Sequence, residues 1–287
     1  MVMIPVKKST GLAVDDLKFG GEPRTYLGMS GIGEPCLRKQ WYKFHWAHIE
    51  KHDAKTERIF EAGHLFEAKI ISQLKLAGME VFRVDENGNE IELFGYKDEE
   101  QEEFIGFAKH VKGHCDGRIR GVIEAPKTVH VLELKTMMQK YFLPLRKKGV
   151  KEDQPVYYGQ TQRYMKATGL DRTLFIALNK NTSELYFERI EYDAGYADDL
   201  VRKEQMIIIA HEPPVKAYPK GFFKCGDFCE FDGICHEGKK IEKNCRTCEY
   251  ADIENDGLWT CQKRNDKVIP VGLQRKGCSK YKLGWEL

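Results

Sequence analysis

The chain carries little net charge. Its 46 Lys and Arg nearly balance 44 Asp and Glu, leaving a formal charge of +2 over 287 residues. Whole-molecule attraction to a polyanion is therefore weak, and any nucleic-acid binding must come from local basic patches. No apolar run approaches the length of a membrane span, and the N-terminus MVMIPVKKST lacks the apolar core of a signal peptide. A cytoplasmic chain with no membrane association is expected. Internal repeats and low-complexity tracts are missing too. What is plentiful is cysteine, with nine residues. In a reducing compartment, metal or cluster ligation explains so many better than disulfides do. Seven of them lie from Cys225 onward, a shift in composition that marks a C-terminal appendage. The remaining composition, 41% hydrophobic and 31% charged, is ordinary for a soluble globular protein long enough to bury a full core.

Periodicity supplies the elements. Ser30 as N-cap and Pro35 in the first turn predict a helix starting near Glu34, with Cys36 in its first turn. Ile59, Phe60, Gly63, Phe66, Ile70, Ile71 and Leu74 predict a helix over residues 55–77, which puts His64 and Glu67 on one face. Residues 80–94 read as short strands around an Asn87-Gly88 hairpin turn, followed by a solvated acidic loop from Asp98 to Glu103. Strands are expected over 104–107 and 113–123, with Asp116 on the second. TVHVLELKT at 128–136 alternates like a half-buried strand. A basic loop then spans 139–153. A helix at 155–169 ends on Gly169, strands follow at 173–179 and 183–192, and a helix runs from about 193 to 210. The fold class is α/β (α+β), a mixed central sheet flanked by helices.

On the strand at 128–136, Glu133 and Lys135 are two apart and share a face. With Asp116 upstream, two acids and a lysine meet at a sheet edge. Hard divalent cations take carboxylate oxygens, so Asp116 and Glu133 suit Mg²⁺ or Mn²⁺, and the Leu134 carbonyl offers another oxygen. Lys135 stays protonated beside the acids, where it stabilises developing charge or orients a water. His64 either completes the shell, its nitrogen shifting preference towards Mn²⁺, or is a core or surface histidine that binds no metal. This set suits phosphodiester hydrolysis. Arg146, Lys147 and Lys148, with Lys140 and Lys151, form either a solvated basic surface or phosphate contacts beside the acids.

Four pieces occur in order: GH at 63–64, GxxD at 113–116, ExK at 133–135 and QxxxY at 160–164. On these motifs, residues 30 to 235 resemble the RecB-like branch of the PD-(D/E)XK nuclease superfamily. The resemblance implies a restriction-endonuclease-like fold in which His64, Asp116 and Glu133 hold the catalytic metal and Lys135 is catalytic. It also implies that Gln160 and Tyr164 support the site or touch DNA. The chain departs from the pattern in lacking a Pro-Asp dipeptide, since His114-Cys115 precede Asp116.

Cys225, Cys229 and Cys235 cluster and need a fourth ligand, for which Cys36 is the candidate. Sulfur-only ligation suits an iron–sulfur cluster or zinc, and free buried thiols are the third reading. One cysteine before the core and three after it resembles the iron–sulfur nucleases of the CRISPR-associated and AddB type. That resemblance implies a 4Fe–4S cluster stapling the chain ends. Here Cys225 and Cys229 are separated by three residues rather than the usual two, which keeps zinc open. Cys245 and Cys248 form a CxxC knuckle that Cys261 and Cys278 complete as a zinc site, with another cluster or no metal as the other readings. Trp259, Tyr281 and Trp285, with nearby basic residues, either pack that module or offer a surface to single strands. Cys115 remains as a buried thiol.

The expected organisation is a lead-in over 1–29, a nuclease domain over 30–240 and a cysteine-rich module over 241–287. The expected activity is a Mg/Mn-dependent deoxyribonuclease, an exonuclease rather than an endonuclease, acting at DNA ends or on single strands. It would serve recombination, repair or replication beside the proteins of those processes, in a bacterial, archaeal or phage-infected cell. The absence of a P-loop suits a stand-alone enzyme. The alternatives are an endonuclease within a nucleic-acid-processing complex and a catalytically silent DNA-binding protein.

Overall fold

A computed structural model of the chain describes residues 14–20, 22–49, 51–83, 92–94, 108–226, 228–254 and 256–285. In chain order its elements begin with β1 (Lys18–Phe19), β2 (Leu27–Gly28), α1 (Leu37–Phe44), β3 (His52–Asp53) and α2 (Ala54–Leu76). Next come β4 (Glu80–Phe82), β5 (Glu92–Phe94), β6 (Val111–His114), β7 (Gly117–Arg120) and β8 (His130–Met137). Three helices follow, α3 (Gln139–Lys148), α4 (Val150–Asp153) and α5 (Pro155–Thr168), then β9 (Arg172–Asn179), β10 (Leu185–Glu191) and α6 (Ala194–Ile209). The tail holds α7 (Asp232–Glu237), β11 (Ala251–Ile253), β12 (Trp259–Cys261), β13 (Lys267–Val268) and α8 (Val271–Lys276).

The main sheet has five strands in the order β10-β9-β8-β7-β4. The β8–β9 pair is parallel and the other three are antiparallel, so the sheet is mixed, as the sequence predicts. Alternation along β8 and β9 sorts their side chains to two faces. Leu132, Leu134, Leu174, Ile176 and Leu178 pack with Ile70, Ile71 and Leu74 of α2. On the other face Val131, Met137, Phe175 and Ala177 join the larger core beneath α5 and α6. Glu133 and Lys135 fall in register with Val131 and Met137, on the α5 side.

Helix termini follow the local chemistry. Asp53 caps α2 by accepting from the Thr56 N–H at 2.8 Å, and Asp193 caps α6 by accepting from the Tyr196 N–H at 3.0 Å. Gly169, at φ +67°, ends α5 in the left-handed conformation that glycine adopts without strain. Across α5 and α6 a buried ion pair, Arg163 Nε to Glu204 Oε1 at 2.8 Å, ties the two helices.

Several expectations are corrected. The helix after Ser30 begins at Leu37, with Cys36 as its N-cap residue, because residues 29–31 form a separate 3₁₀ turn first. The strands on either side of Asn87-Gly88 do not pair with each other. β4 pairs β7 in the main sheet, whereas β5 pairs β6 in a three-stranded sheet with β2. The turn itself, the acidic stretch Asp98–Glu103 and the strand expected at 104–107 lie outside the described residues. The basic segment at 139–153 is helical, because Phe142 and Leu145 recur at helical spacing and bury against the core. In α2 only the C-terminal half buries its stripe; Ile59, Phe60 and Phe66 remain exposed.

Candidate active site

Glu133 is completely buried in the middle of the main sheet. Its Oε1 accepts from Lys135 Nζ and, at 2.7 Å, from Gln160 Nε2. Its Oε2 finds no hydrogen-bond partner among the described residues. A buried carboxylate oxygen left unpaired costs free energy unless something else meets it. Gln160 also donates to the Tyr164 hydroxyl at 3.1 Å, one turn along α5. Gln160 and Tyr164 are both buried, so they brace Glu133 from behind.

Asp116 does not lie on a strand. It occupies the two-residue break between β6 and β7, which belong to different sheets. The β7–β8 pairing runs only as far as Gly117 opposite Leu132. Beyond that point the Leu134 N–H donates to Asp116 Oδ2 at 2.6 Å, where a strand carbonyl would otherwise sit. The glycine of GxxD has a packing reason. A Cβ on Gly113 would lie 2.6 Å from Tyr164 Cε1 and 3.0 Å from Met29 Sδ. The second and fourth motifs therefore touch, with no side chain between them.

The electrostatics follow from burial. Desolvation pushes the Glu133 carboxyl up to about 8, with the charge of Asp116 adding to the rise and Lys135 opposing it. Burial also raises Asp116, against the pull of Lys135 and the Leu134 N–H. Burial pulls the Lys135 ammonium down, but Glu133 and Asp116 outweigh it and hold it charged. That ammonium also lies 5.2 Å from the centre of the Tyr157 ring. Beside the acids, burial pushes the Cys115 thiol up to about 11, so it stays protonated.

His64 and Glu67 lie on α2, the helix on the opposite face. His64 is exposed, close enough to lower the carboxyls of Asp116 and Glu67. Glu67 is a member of the site that the motif pattern passes over. Burial and then Asp116 raise its carboxyl, while Arg83 donates to its Oε1 at 2.7 Å and opposes the rise. Its position three residues after His64 was the available signal. His64, Asp116 and Glu133 do not close into a ligand triple. Among the described residues, three His, Cys, Asp or Glu donors come within 4.8 Å of one another only at Cys225, Asp232 and His236. The acids nevertheless suit a hard cation. Burial disfavours the ionised form of both carboxyls and leaves Glu133 Oε2 unpaired, and a divalent ion would stabilise that ionised form by displacing the proton. On α3, Arg146, Lys147 and Lys148 are exposed, with Arg146 paired to Glu184 at 3.3 Å and Lys148 to Glu152 at 3.8 Å.

The cysteines sort into the two expected sets. Cys36, Cys225, Cys229 and Cys235 line one small cavity, and Asp232 and His236 line it with them. Cys245, Cys248, Cys261 and Cys278 line another. The tail packs hard against α1. The Trp285 ring meets Trp41 edge-on at 4.5 Å, and Arg246 lies over Trp46 at 3.9 Å while donating to the carbonyls of Phe44 and Thr25. Trp259 and Trp285 are buried, so these two aromatics pack the module and do not face a strand of nucleic acid.

No family model and no curated protein matches the chain. Among solved structures it is similar to the alkaline exonuclease LHK-Exo of Laribacter hongkongensis, with 14% identity and a TM-score of 0.45. That likeness covers 64% of this chain and 87% of that one. The same exonuclease in complex with dAMP gives the same TM-score over 86% of its length. The protein SSO0001 is similar at 15% identity and TM-score 0.45, over 77% of this chain and 90% of that one. These are partial likenesses of fold, and the architecture described above rests on this chain's own strand order and register.

Proposed function

We propose that the chain is a metal-dependent deoxyribonuclease of the PD-(D/E)XK type, acting as an exonuclease on DNA ends or single strands. The observation that carries this reading is the surroundings of Glu133. A buried carboxylate is held between Lys135 and Gln160, has one oxygen unpaired, and has Asp116 tethered to the next residue of its strand. Asp116, Glu133 and the Leu134 carbonyl would hold Mg²⁺ or Mn²⁺, with His64, which stands apart from the two acids, drawn in as the remaining ligand. Such an ion supplies a water acidic enough to attack and charge compensation on the phosphate.

The chain's own groups do the rest. Lys135 keeps a positive charge beside the reacting phosphate and is the catalytic residue of the set. Gln160 fixes the Glu133 carboxylate through its amide, and Tyr164 fixes Gln160, so both position and neither reaches substrate. Glu67 adds negative charge on the α2 side. Lys147 and its neighbours on α3 are proposed to meet the DNA backbone, with affinity that falls as salt rises. The Cys245 set is proposed to hold zinc. The Cys36 set is proposed as a metal staple, either a 4Fe–4S cluster or zinc. Recombination or replication proteins are the proposed partners.

The test is incubation of the full chain with linear and circular single-stranded DNA and Mn²⁺. Loss of linear DNA alone supports an exonuclease. Cutting of the circle supports the endonuclease reading, and turnover of neither leaves a DNA-binding protein.

A further inference from the structure

The cavity of the first cysteine set contains two donors that a sulfur-only site has no use for. Asp232 and His236 are one turn apart on α7, so both side chains leave the same face. Both line the cavity with Cys36, Cys225, Cys229 and Cys235. Ligand atoms of Cys225, Asp232 and His236 lie within 4.8 Å of one another. Asp232 Oδ1 and His236 Nε2 are buried and have no hydrogen-bond partner among the described residues. Each such group left unmade costs about 1–3 kcal/mol, so two in one small cavity ask for a common partner.

A cation answers both. A tetrahedral zinc ion, with bonds of about 2.0–2.3 Å, sets its ligands about 3.3–3.8 Å apart. Donors already within 4.8 Å of one another need to close by no more than about 1.0–1.5 Å to match that spacing. The set also suits zinc chemically, since it accepts sulfur, imidazole nitrogen and carboxylate oxygen together. A cluster ligated by cysteine sulfur alone would leave Asp232 and His236 as they stand. Charge balances as well. One thiolate and one carboxylate neutralise a divalent ion, and Arg38 and Lys39 in the same wall offset a second thiolate.

We propose that this cavity binds a single zinc ion through Cys225, Asp232 and His236, with one further cysteine of the wall closing the shell. This decides between the two occupants of the staple in favour of zinc and is independent of the nuclease reading. Closure of the shell joins the loop at Cys225 to α7.

The experiment is metal and acid-labile sulfide analysis of the full chain, produced with iron and zinc both supplied and handled without oxygen, together with Co²⁺ titration. Wild type should carry zinc and no sulfide. The double variant Asp232→Ala/His236→Ala should carry one zinc fewer per chain, and His236→Ala alone should weaken Co²⁺ binding at this site by more than about 100-fold, above the loss usual for an outer-shell partner. His236→Cys supplies a ligand instead of removing one. It should keep the zinc and strengthen the thiolate-to-cobalt charge-transfer band. Iron with sulfide that persists in the double variant would overturn the proposal. So would a folded His236→Cys chain whose cobalt spectrum matches wild type.

Discussion

Replacing Lys135 with methionine removes one charge and keeps most of the side-chain volume. The ammonium contacts Glu133 Oε1, and the carboxyls of Glu133 and Asp116 hold it charged. A unit charge about 4 Å from the reacting phosphate, at an effective dielectric of about 20, interacts by about 4 kcal/mol. Loss of that interaction in the transition state alone slows the reaction by about a thousandfold. The same ammonium repels an incoming cation but also holds the Glu133 carboxyl down, so Mn²⁺ affinity is compared well above the Glu133 titration, where Lys135→Met should bind it at least as tightly as wild type. Lys135 is also only part of one buried pair, and the fold keeps the Gln160 contact to Glu133. The assay is single-turnover degradation of end-labelled linear DNA, with Mn²⁺ affinity measured by calorimetry on the same preparations. A rate within about threefold of wild type would refute the catalytic role of Lys135, since about 0.6 kcal/mol is far below the expected loss. A collapse of Mn²⁺ binding would refute the charge argument.

The remaining expectations concern the frame and the acids. Gly113→Ala forces a Cβ into Tyr164 and Met29, and overpacking of this kind costs about 1–3 kcal/mol. A drop of several degrees in the melting midpoint checks it, together with lower nuclease activity from a displaced Gln160. Glu204→Gln leaves the Arg163 guanidinium buried without its carboxylate and should cost about 3–5 kcal/mol, read from the urea midpoint. The raised Glu133 carboxyl sets a pH dependence. Folding favours its protonated form, so this group's contribution to the stability of the metal-free protein is full below the ordinary carboxyl value of 4.5 and is lost as pH rises through about 8. Mn²⁺ must displace that proton, so its affinity should climb about tenfold per pH unit below about 8 and then level off. A flat affinity from pH 6 to 8 would remove Glu133 from the metal shell.

Much of this was legible because it depends on short-range patterns. The alternation of TVHVLELKT placed Glu133 and Lys135 on one face, and Leu132 and Leu134 do pack on the other. QxxxY placed Gln160 and Tyr164 a turn apart, and one hydrogen bond joins them. The misreadings concern what strands pair with. Asn87-Gly88 is a local hairpin signal, but β4 and β5 are claimed by different sheets through β7 and β6. The same split puts Asp116 in a break between sheets, where its carboxylate takes the N–H of Leu134. Charge hid the amphipathic face of α3, since Phe142 and Leu145 are few among basic neighbours. Glu67 escaped the motif pattern because its role depends on which face of α2 meets the sheet edge. Asp232 and His236 were overlooked for a similar reason, since their i, i+4 spacing sits inside a run read for its cysteines alone.

The most direct measurement is metal-dependent release of nucleotides from end-labelled linear DNA by wild type and Glu133→Gln, with and without Mn²⁺. The substitution is nearly isosteric and removes the one carboxylate on which the buried contacts of Lys135 and Gln160 converge. Release by wild type only when Mn²⁺ is present, and none by Glu133→Gln at any Mn²⁺ concentration, is the predicted result. Metal-independent release, or a Glu133→Gln chain that still degrades the DNA, would contradict the account.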